Sequence, residues 1–136
     1  MADNGSENMS DINRYSDLLG RILISLMFLT SGVGKITGYA ATQGYMETVG
    51  VPGLLLPWVI VVEVVGAVAV IVGWRTRWAA AALAGFCIVS ALLFHADFSD
   101  QSQMISFMKN ISIAGGFMVI VAFGAGPLSL DSRRAP

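Results

Sequence analysis

The chain has 136 residues, of which 55% are hydrophobic and only 12% are charged, and its formal net charge is −1. A soluble domain carries about 25% charged residues, so this composition indicates a small integral membrane protein. One cysteine and one histidine exclude an intrachain disulfide and any zinc or iron–sulfur site that needs several such ligands. We expect no metal and no covalently bound cofactor, and no basic patch with interleaved aromatic residues indicates a nucleic-acid partner.

In chain order, the first element is a polar, acidic stretch over residues 1–17, which we expect to be a disordered tail. Four apolar stretches follow, each close to the roughly 20 residues that a transmembrane helix needs. They cover approximately residues 18–36, 54–74, 78–96 and 105–126, and a short tail over 127–136 completes the chain. The predicted fold is an all-α integral membrane protein with one domain, residues 18–126, formed by a bundle of four transmembrane helices.

The distribution of arginine predicts the orientation of these spans. In a four-span topology one side receives the N-terminal entry, the second connection and the C-terminal tail, which carry Arg14, Arg21, Arg75, Arg77, Arg133 and Arg134. The other side receives residues 37–53 and 97–104, which contain no arginine. We therefore expect both termini in the cytoplasm.

Glu63 is the deepest charge in the predicted bundle, because it lies within the aliphatic run of the second span. An ionised side chain at the membrane centre costs about 2.5–3.5 kcal/mol on insertion scales, so Glu63 is expected to face protein. Gly66 and Ala67, its helical neighbours, leave room for a partner helix. An intramembrane ionisable residue is a candidate functional residue, although an ion pair that only fixes helix order would explain Glu63 equally well.

Each of the other spans brings polar residues to a similar height. They are Lys35 at the end of the first span, His95 at the end of the third, and Lys109 with Asn110 one turn into the fourth. Together with Glu63 they form the candidate intramembrane polar cluster, while Arg21 lies on the face of Lys35 about 21 Å towards the other side. Taken singly, Lys35, Lys109 and Arg21 would be explained as well by snorkelling to an interface, and His95 by an interfacial position.

Short patterns in order along residues 17–131 resemble the DoxX family of small bacterial membrane proteins. They are Gly20-Arg21 and Gly32-x-x-Lys35 in the first span, Glu63-x-x-Gly66 and Gly73-x-x-Thr76-Arg77 in and after the second, His95 ending the third, and Phe107-x-Lys109-Asn110 with Gly115-Gly116 and Ser129-Leu130-Asp131 in and after the fourth. The resemblance implies a four-helix, multi-pass protein of the bacterial cytoplasmic (inner) membrane.

The family takes its name from a subunit of an archaeal thiosulfate:quinone oxidoreductase, and other relatives are linked to oxidative-stress assemblies. The resemblance therefore implies a small membrane subunit or accessory protein of a redox system rather than a self-contained enzyme. The resemblance and the polar cluster together point to a quinone as the candidate ligand. The expected partners are the lipid bilayer and other membrane or redox subunits, with further copies of the chain as a candidate partner.

Two alternatives stay open on the sequence. The chain could be a small ion or metabolite carrier in which Glu63 binds the proton or cation, and it would then need oligomers because four helices leave little room for a pathway. It could instead be a non-catalytic anchor or assembly subunit whose polar cluster only fixes the bundle. No catalytic residue is assignable in any of the three cases.

Overall fold

The computed structural model describes residues 4–134, which form five α-helices, one short 3-10 turn and no β-strand. The helices are α1 (Asn4–Thr37), α2 (Tyr39–Thr48), α3 (Leu56–Val72), α4 (Thr76–Phe94) and α5 (Gln101–Phe123), and the turn, Gly53–Leu55, leads directly into α3. Four segments are long and apolar enough to cross a membrane: Glu7–Thr37, Gly53–Val72, Thr76–Phe94 and Gln101–Phe123. The predicted all-α, four-span membrane fold is confirmed.

The outside of the bundle is apolar. Leu23 of α1, Val65 of α3 and Leu92 of α4 are each more than half exposed, at 61%, 53% and 58%. A surface of this kind in water would bind other apolar surfaces, whereas in a bilayer it contacts acyl chains. The helices therefore bury their small residues and charges inside and present their large aliphatic side chains to lipid.

Helix α3 packs against α1 on one side and α4 on the other, and α4 packs extensively against α5. The core at mid-height combines aromatic rings with small side chains: Phe28, Ala67, Leu83, Ala84, Cys87 and Phe117. Phe28 meets Phe117 edge to face with their ring centroids 5.4 Å apart, a favourable geometry that joins α1 to α5. Gly116 lets the two helices approach, because a Cβ there would lie 2.8 Å from Cδ1 of Ile24.

Helix α1 is longer than the bilayer requires, and this corrects the expectation of a disordered tail over residues 1–17. Residues 4–17 are helical and continue α1, while residues 1–3 lie outside the described part. Between Gly5 and Gly20 there is no proline or glycine, so a helix nucleated in the membrane gains one hydrogen bond for each residue added. An ion pair between Arg14 and Asp11 spans one turn of this extension, with Nη1 and Oδ1 3.4 Å apart.

Beyond α5, residues 125–134 form a C-terminal segment that folds back onto the end of α3. The N–H of Leu130 donates to the carbonyl of Val72 at 3.0 Å, and the N–H of Asp131 donates to the carbonyl of Gly73 at 2.8 Å. Gly73 ends α3 in the left-handed conformation (φ 73°), and a Cβ there would lie 2.2 Å from Cβ of Ser129. Glycine is therefore required at this position by both backbone and packing. The cytoplasmic location of this segment stays a prediction.

Candidate functional site

Glu63 forms an ion pair with Lys35 that joins α3 to α1. Nζ of Lys35 lies 3.0 Å from Oε2 and 3.1 Å from Oε1 of Glu63. Ser31, one turn before Lys35, donates its hydroxyl to Oε1 at 2.9 Å and accepts a hydrogen bond from Nζ at 2.6 Å. Glu63 is only 2% exposed, so the carboxylate is removed from solvent and compensated by a neighbouring charge, as a buried ion requires.

Gly32 allows this ion pair to form. A Cβ at Gly32 would lie 2.6 Å from Cγ2 of Val64 and 3.3 Å from Cβ of Glu63. The backbones of α1 and α3 therefore meet at Gly32, and Ser31 and Lys35 on either side reach the carboxylate with ordinary hydrogen-bond lengths. Glu63 faces protein, as its depth led us to expect. The small residue at this contact is Gly32 of α1, whereas Gly66 of α3 lies against Leu83 of α4.

The two oxygens of Glu63 are bonded unequally. Oε1 accepts the hydrogen bonds from Ser31 and Lys35, whereas Oε2, although 3.0 Å from Nζ, accepts no hydrogen bond from the described residues. A buried carboxylate oxygen usually has a hydrogen-bond partner, and an oxygen without one can accept a proton or a donor from a ligand.

A cavity of about 420 Å³ lies beside this carboxylate, and its volume falls within the range of small-molecule sites. Aromatic and aliphatic side chains make up most of its walls, including Phe28, Phe86 and Phe94. Its polar residues are supplied by α1, α2, α3, α4 and α5 or their ends: Ser31, Lys35, Thr42, Glu63, Ser90, His95 and Asn110. A chamber that is largely apolar with a few convergent polar groups suits a lipophilic molecule with a polar head.

Helix α2 covers the Lys35 end of the cavity, and the sequence did not predict this helix. Met46 of α2 is buried, and Tyr45 of α2 stacks on Phe94 with ring centroids 5.6 Å apart. Gln43 donates to the carbonyl of Gly53 at 3.2 Å, which ties α2 to the turn before α3. No hydropathy signal indicates α2, because its ten residues are too few to cross a membrane.

The structure brings four of the five predicted cluster residues to the cavity and leaves out one. Lys35, Glu63, His95 and Asn110 all line it. His95 ends α4, with its Nδ1 2.8 Å from Oε1 of Gln103, and Nδ2 of Asn110 donates to the carbonyl of Ser106 at 3.0 Å.

Lys109 does not belong to the cavity, because its side chain is exposed on the outer surface of α5. Successive residues on a helix point about 100° apart, and on α5 this rotation turns Lys109 outwards while Asn110 faces the chamber. The predicted cluster omitted three polar lining residues: Ser31, Thr42 and Ser90. Ser31 precedes Lys35 by four residues and therefore shares its face, which is a signal visible in the sequence.

Arg21 is fully buried at the opposite end of the bundle and connects three segments. Its Nε donates to Asp17 at 3.0 Å, its Nη1 donates to the carbonyls of Val70 and Ile71 at 3.0 and 2.7 Å, and its Nη2 donates to that of Leu128 at 2.6 Å. The carbonyls at the end of α3 have no partner within the helix, so the guanidinium caps them. Arg21 is thus a structural connection and does not snorkel.

No cluster of three or more His, Cys, Asp or Glu side chains that could hold a metal ion occurs among residues 4–134. Cys87 is buried in the core of the bundle. In the connection between α4 and α5, hydrogen bonds from the hydroxyl and the N–H of Ser99 and the N–H of Asp100 hold the pKa of Asp97 below its usual range. These observations leave the cavity beside Glu63 as the candidate site.

Comparison with known proteins gives the family. The family model described as DoxX matches residues 16–96, which include the first three spans with Lys35, Glu63 and His95. Inner membrane protein YqjF of Escherichia coli (strain K12) is 47% identical over 123 residues, covering 90% of this chain and 95% of that protein.

Inner membrane protein YphA of the same strain is 34% identical over 123 residues, covering 85% of this chain and 88% of that protein. No solved structure matches the chain. With four membrane-spanning helices and two inner membrane relatives, this chain is a multi-pass inner membrane protein, and it belongs to the DoxX family.

Proposed function

We propose that the chain is a small membrane subunit of a quinone-linked redox system, and that the cavity beside Glu63 holds the quinone head group. One observation carries this proposal: Lys35 and the buried Glu63, an ion pair in which Oε2 accepts no hydrogen bond from the described residues, both line a largely apolar chamber of about 420 Å³. That combination is expected for an amphipathic ligand, because the walls take the apolar part while the polar residues fix the head.

The lining residues fit a quinone. Its two carbonyl oxygens need hydrogen-bond donors, and the ammonium of Lys35 and the amide of Asn110 would hold them. Its ring is flat and apolar, and Phe28, Phe86 and Phe94 supply aromatic walls. A quinone supplies two-electron redox chemistry when bound, with electrons provided by a partner redox subunit.

Within the site, Glu63 and His95 are the groups suited to hold a proton. Oε2 of Glu63 has an unused acceptor position, and the imidazole of His95 lines the same cavity. A positioned carboxylate or imidazole exchanges protons with a bound ligand in general acid–base chemistry. The ammonium of Lys35 would stabilise negative charge that develops on a reduced oxygen.

The test uses the full chain in lipid nanodiscs and equilibrium binding of short-chain ubiquinone and menaquinone. Val59 lines the cavity, so the larger side chain in Val59→Trp should occupy part of the space that the quinone needs. We expect it to weaken quinone binding about ten-fold or more. Val61 lies two residues away and is 48% exposed, so Val61→Trp is the matched control and should bind quinone like the wild type.

Other outcomes identify the alternatives. Absence of quinone binding by the wild type, or equal binding by Val59→Trp, would contradict the proposal. If Glu63→Gln lowers thermal stability but leaves quinone affinity unchanged, the ion pair only stabilises the packing of α1 against α3. The chain would then be an anchor or assembly subunit. Ion or metabolite flux into proteoliposomes that disappears in Glu63→Gln would identify a carrier.

A further inference from the structure

The arginine-rich end of the bundle contains a second cavity, remote from Glu63. Its volume is about 430 Å³, and it lies where α4 begins and α5 ends. Arg75 and Arg77 line it together with Trp78, Phe123 and Asp131. Because α3 ends at Val72 and α4 begins at Thr76, this cavity opens at the level where transmembrane helices meet the lipid head groups.

The two arginines in this cavity carry charge that the chain does not neutralise. Neither forms an ion pair with a carboxylate within residues 4–134. Arg75 lies against the Trp74 ring, 6.0 Å from its centroid, and Arg77 lies over the backbone of Gly124, where a Cβ would be 3.1 Å from its Nε. Both guanidinium groups therefore contact uncharged groups, and their N–H donors can bind an anion.

The acidic residue of the cavity, Asp131, already accepts hydrogen bonds from the start of α4. Its carboxylate accepts hydrogen bonds from the N–H groups of Arg75 and Thr76, both at 2.8 Å, and from the Thr76 hydroxyl at 2.6 Å. Arg134 approaches closely enough to favour the ionised carboxylate. With Asp131 compensated in this way, the cavity has an excess of positive charge.

The flanking apolar side chains distinguish the ligands that such a site could take. Trp78 and Phe123 are 77% and 81% exposed and stand beside the arginines. A free anion would use the guanidinium groups alone, whereas a phospholipid would also cover these rings with its acyl chains. Arginine binds phosphate oxygens through paired N–H donors, and basic pockets between membrane helices bind anionic head groups.

From this geometry we infer that the cavity between Arg77 and Phe123 binds an anionic phospholipid, with its phosphodiester on Arg75 and Arg77 and its acyl chains along Trp78 and Phe123. The site is independent of the quinone proposal, because the two cavities share no residue. A lipid bound here would connect the start of α4 to the end of α5.

The native tryptophans report on this site. Trp74 and Trp78 lie beside it, and Trp58, at the start of α3 at the opposite end, is removed by Trp58→Phe. The protein is reconstituted in vesicles of brominated phosphatidylcholine mixed with brominated phosphatidylglycerol, and bromine quenching gives the relative lipid affinity. A lysine or arginine near an anionic surface contributes about 1 kcal/mol, or about five-fold in affinity, so Arg77→Gln should reduce the preference for phosphatidylglycerol about five-fold.

The matched control is Arg133→Gln, which removes an exposed arginine from the same end but outside the cavity. Its preference for phosphatidylglycerol should equal that of the wild type. Arg75→Gln should reduce the preference as Arg77→Gln does. Arg75 has a left-handed backbone (φ 45°), so Arg75→Gln could fail to fold. Arg77 lies within α4, and Arg77→Gln is then sufficient for the test.

Three results would overturn the inference. One is a wild type that shows no preference between the two lipids, and another is an equal loss in Arg133→Gln and Arg77→Gln, which would indicate diffuse surface charge. The third is loss of the preference in inorganic phosphate but not in sodium chloride of equal ionic strength, which would identify a site for the free anion.

Discussion

The carboxylate of Asp131 caps helix α4 at Thr76, although the two residues are 55 positions apart in the sequence. Oδ2 accepts the N–H of Thr76 at 2.8 Å and its hydroxyl at 2.6 Å, while Oδ1 accepts the N–H of Arg75 at 2.8 Å. Arg75, the residue at the N-cap position, offers no side-chain hydrogen bond of its own. The C-terminal segment therefore satisfies the free N–H groups at the start of a transmembrane helix.

Removing this cap should destabilise the protein in a pH-dependent way. Burial works against ionisation of Asp131, but the hydrogen bonds from Thr76 and Arg75 and the charge of Arg134 outweigh it and hold the pKa of Asp131 below its usual range. A lowered pKa means that this stabilisation is present above the unfolded-state pKa of about 3.9 and is lost as pH falls through the folded-state pKa.

Asp131→Asn should therefore cost about 1–2 kcal/mol at neutral pH, which is typical of a lost helix cap, and the difference from wild type should shrink below about pH 4. Thermal unfolding in detergent at a series of pH values measures both quantities. Asp11→Asn, which removes an exposed carboxylate from the α1 extension, is the control and should change stability little at any pH. A constant difference between Asp131→Asn and wild type across this pH range would contradict the role of the ionised carboxylate.

Replacing Arg21 should be among the most damaging single changes. Its guanidinium is fully buried and bonded to α1, α3 and the C-terminal segment. Arg21→Gln removes the donors to several carbonyls and leaves Asp17 with only the N–H of Gly126, so it should cost about 3–5 kcal/mol. Arg21→Lys keeps the positive charge but lacks the planar guanidinium with its several N–H donors, so it should lose less stability than Arg21→Gln but more than none.

Thermal unfolding and the yield of folded protein measure the effect of these Arg21 variants. Arg14→Gln breaks only the exposed pair with Asp11 and should stay within about 0.5 kcal/mol of wild type. If Arg21→Lys were as stable as the wild type, the positive charge alone would account for the role of Arg21, and its hydrogen bonds to separate carbonyls would contribute nothing.

Two glycines of α1 should respond in opposite ways to alanine. Gly32→Ala places a methyl group 2.6 Å from Cγ2 of Val64 and should destabilise the α1–α3 contact by about 1–3 kcal/mol. Gly34, two residues away on the exposed face, has nothing within 4 Å, so Gly34→Ala should be neutral or stabilising by up to about 1 kcal/mol through helix propensity. Unfolding of the two variants in parallel is the measurement, and equal stabilities would show that α1 and α3 do not meet closely at Gly32.

The strength of the ion pair can be measured with a double-mutant cycle. Lys35→Met and Glu63→Gln should each destabilise the protein, and the double variant should be more stable than the sum of the two losses implies, with a coupling energy of about 1–3 kcal/mol. The control cycle pairs Glu63→Gln with Lys109→Met and should give a coupling below about 0.5 kcal/mol, because Lys109 lies on the outer surface of α5. Coupling of equal size in both cycles would indicate long-range charge effects and not a direct contact.

The part of the candidate site that could be predicted follows from depth in the membrane. Hydropathy locates each span, and counting along a span gives the height of Lys35, Glu63, His95 and Asn110, all of which line the cavity. Lys109 lies at a similar height in the membrane, but its side chain points away from the cavity. Height depends on the 1.5 Å rise along one helix, whereas direction depends on how the helix is rotated against its neighbours.

Other features arise from contacts between distant segments. Helix α2 over the cavity, the capping of α4 by Asp131 and the bonds of Arg21 to α3 and Leu128 all join residues far apart in sequence. The α1 extension is a different case, because its polar composition suggested disorder while continuous helical hydrogen bonding from the first span supports it.

By itself, the sequence determined that this protein is a four-span, all-α membrane protein, because about 20 consecutive apolar residues can satisfy their backbone in lipid only as a helix. It also determined that Glu63 needs a partner, because an unpaired carboxylate at that depth is too costly. Only the tertiary structure decided that Lys35 and Ser31 are that partner, through the close approach of α1 and α3 at Gly32. The rotation of each helix is set by packing against its neighbours, and no stretch of one helix carries that information.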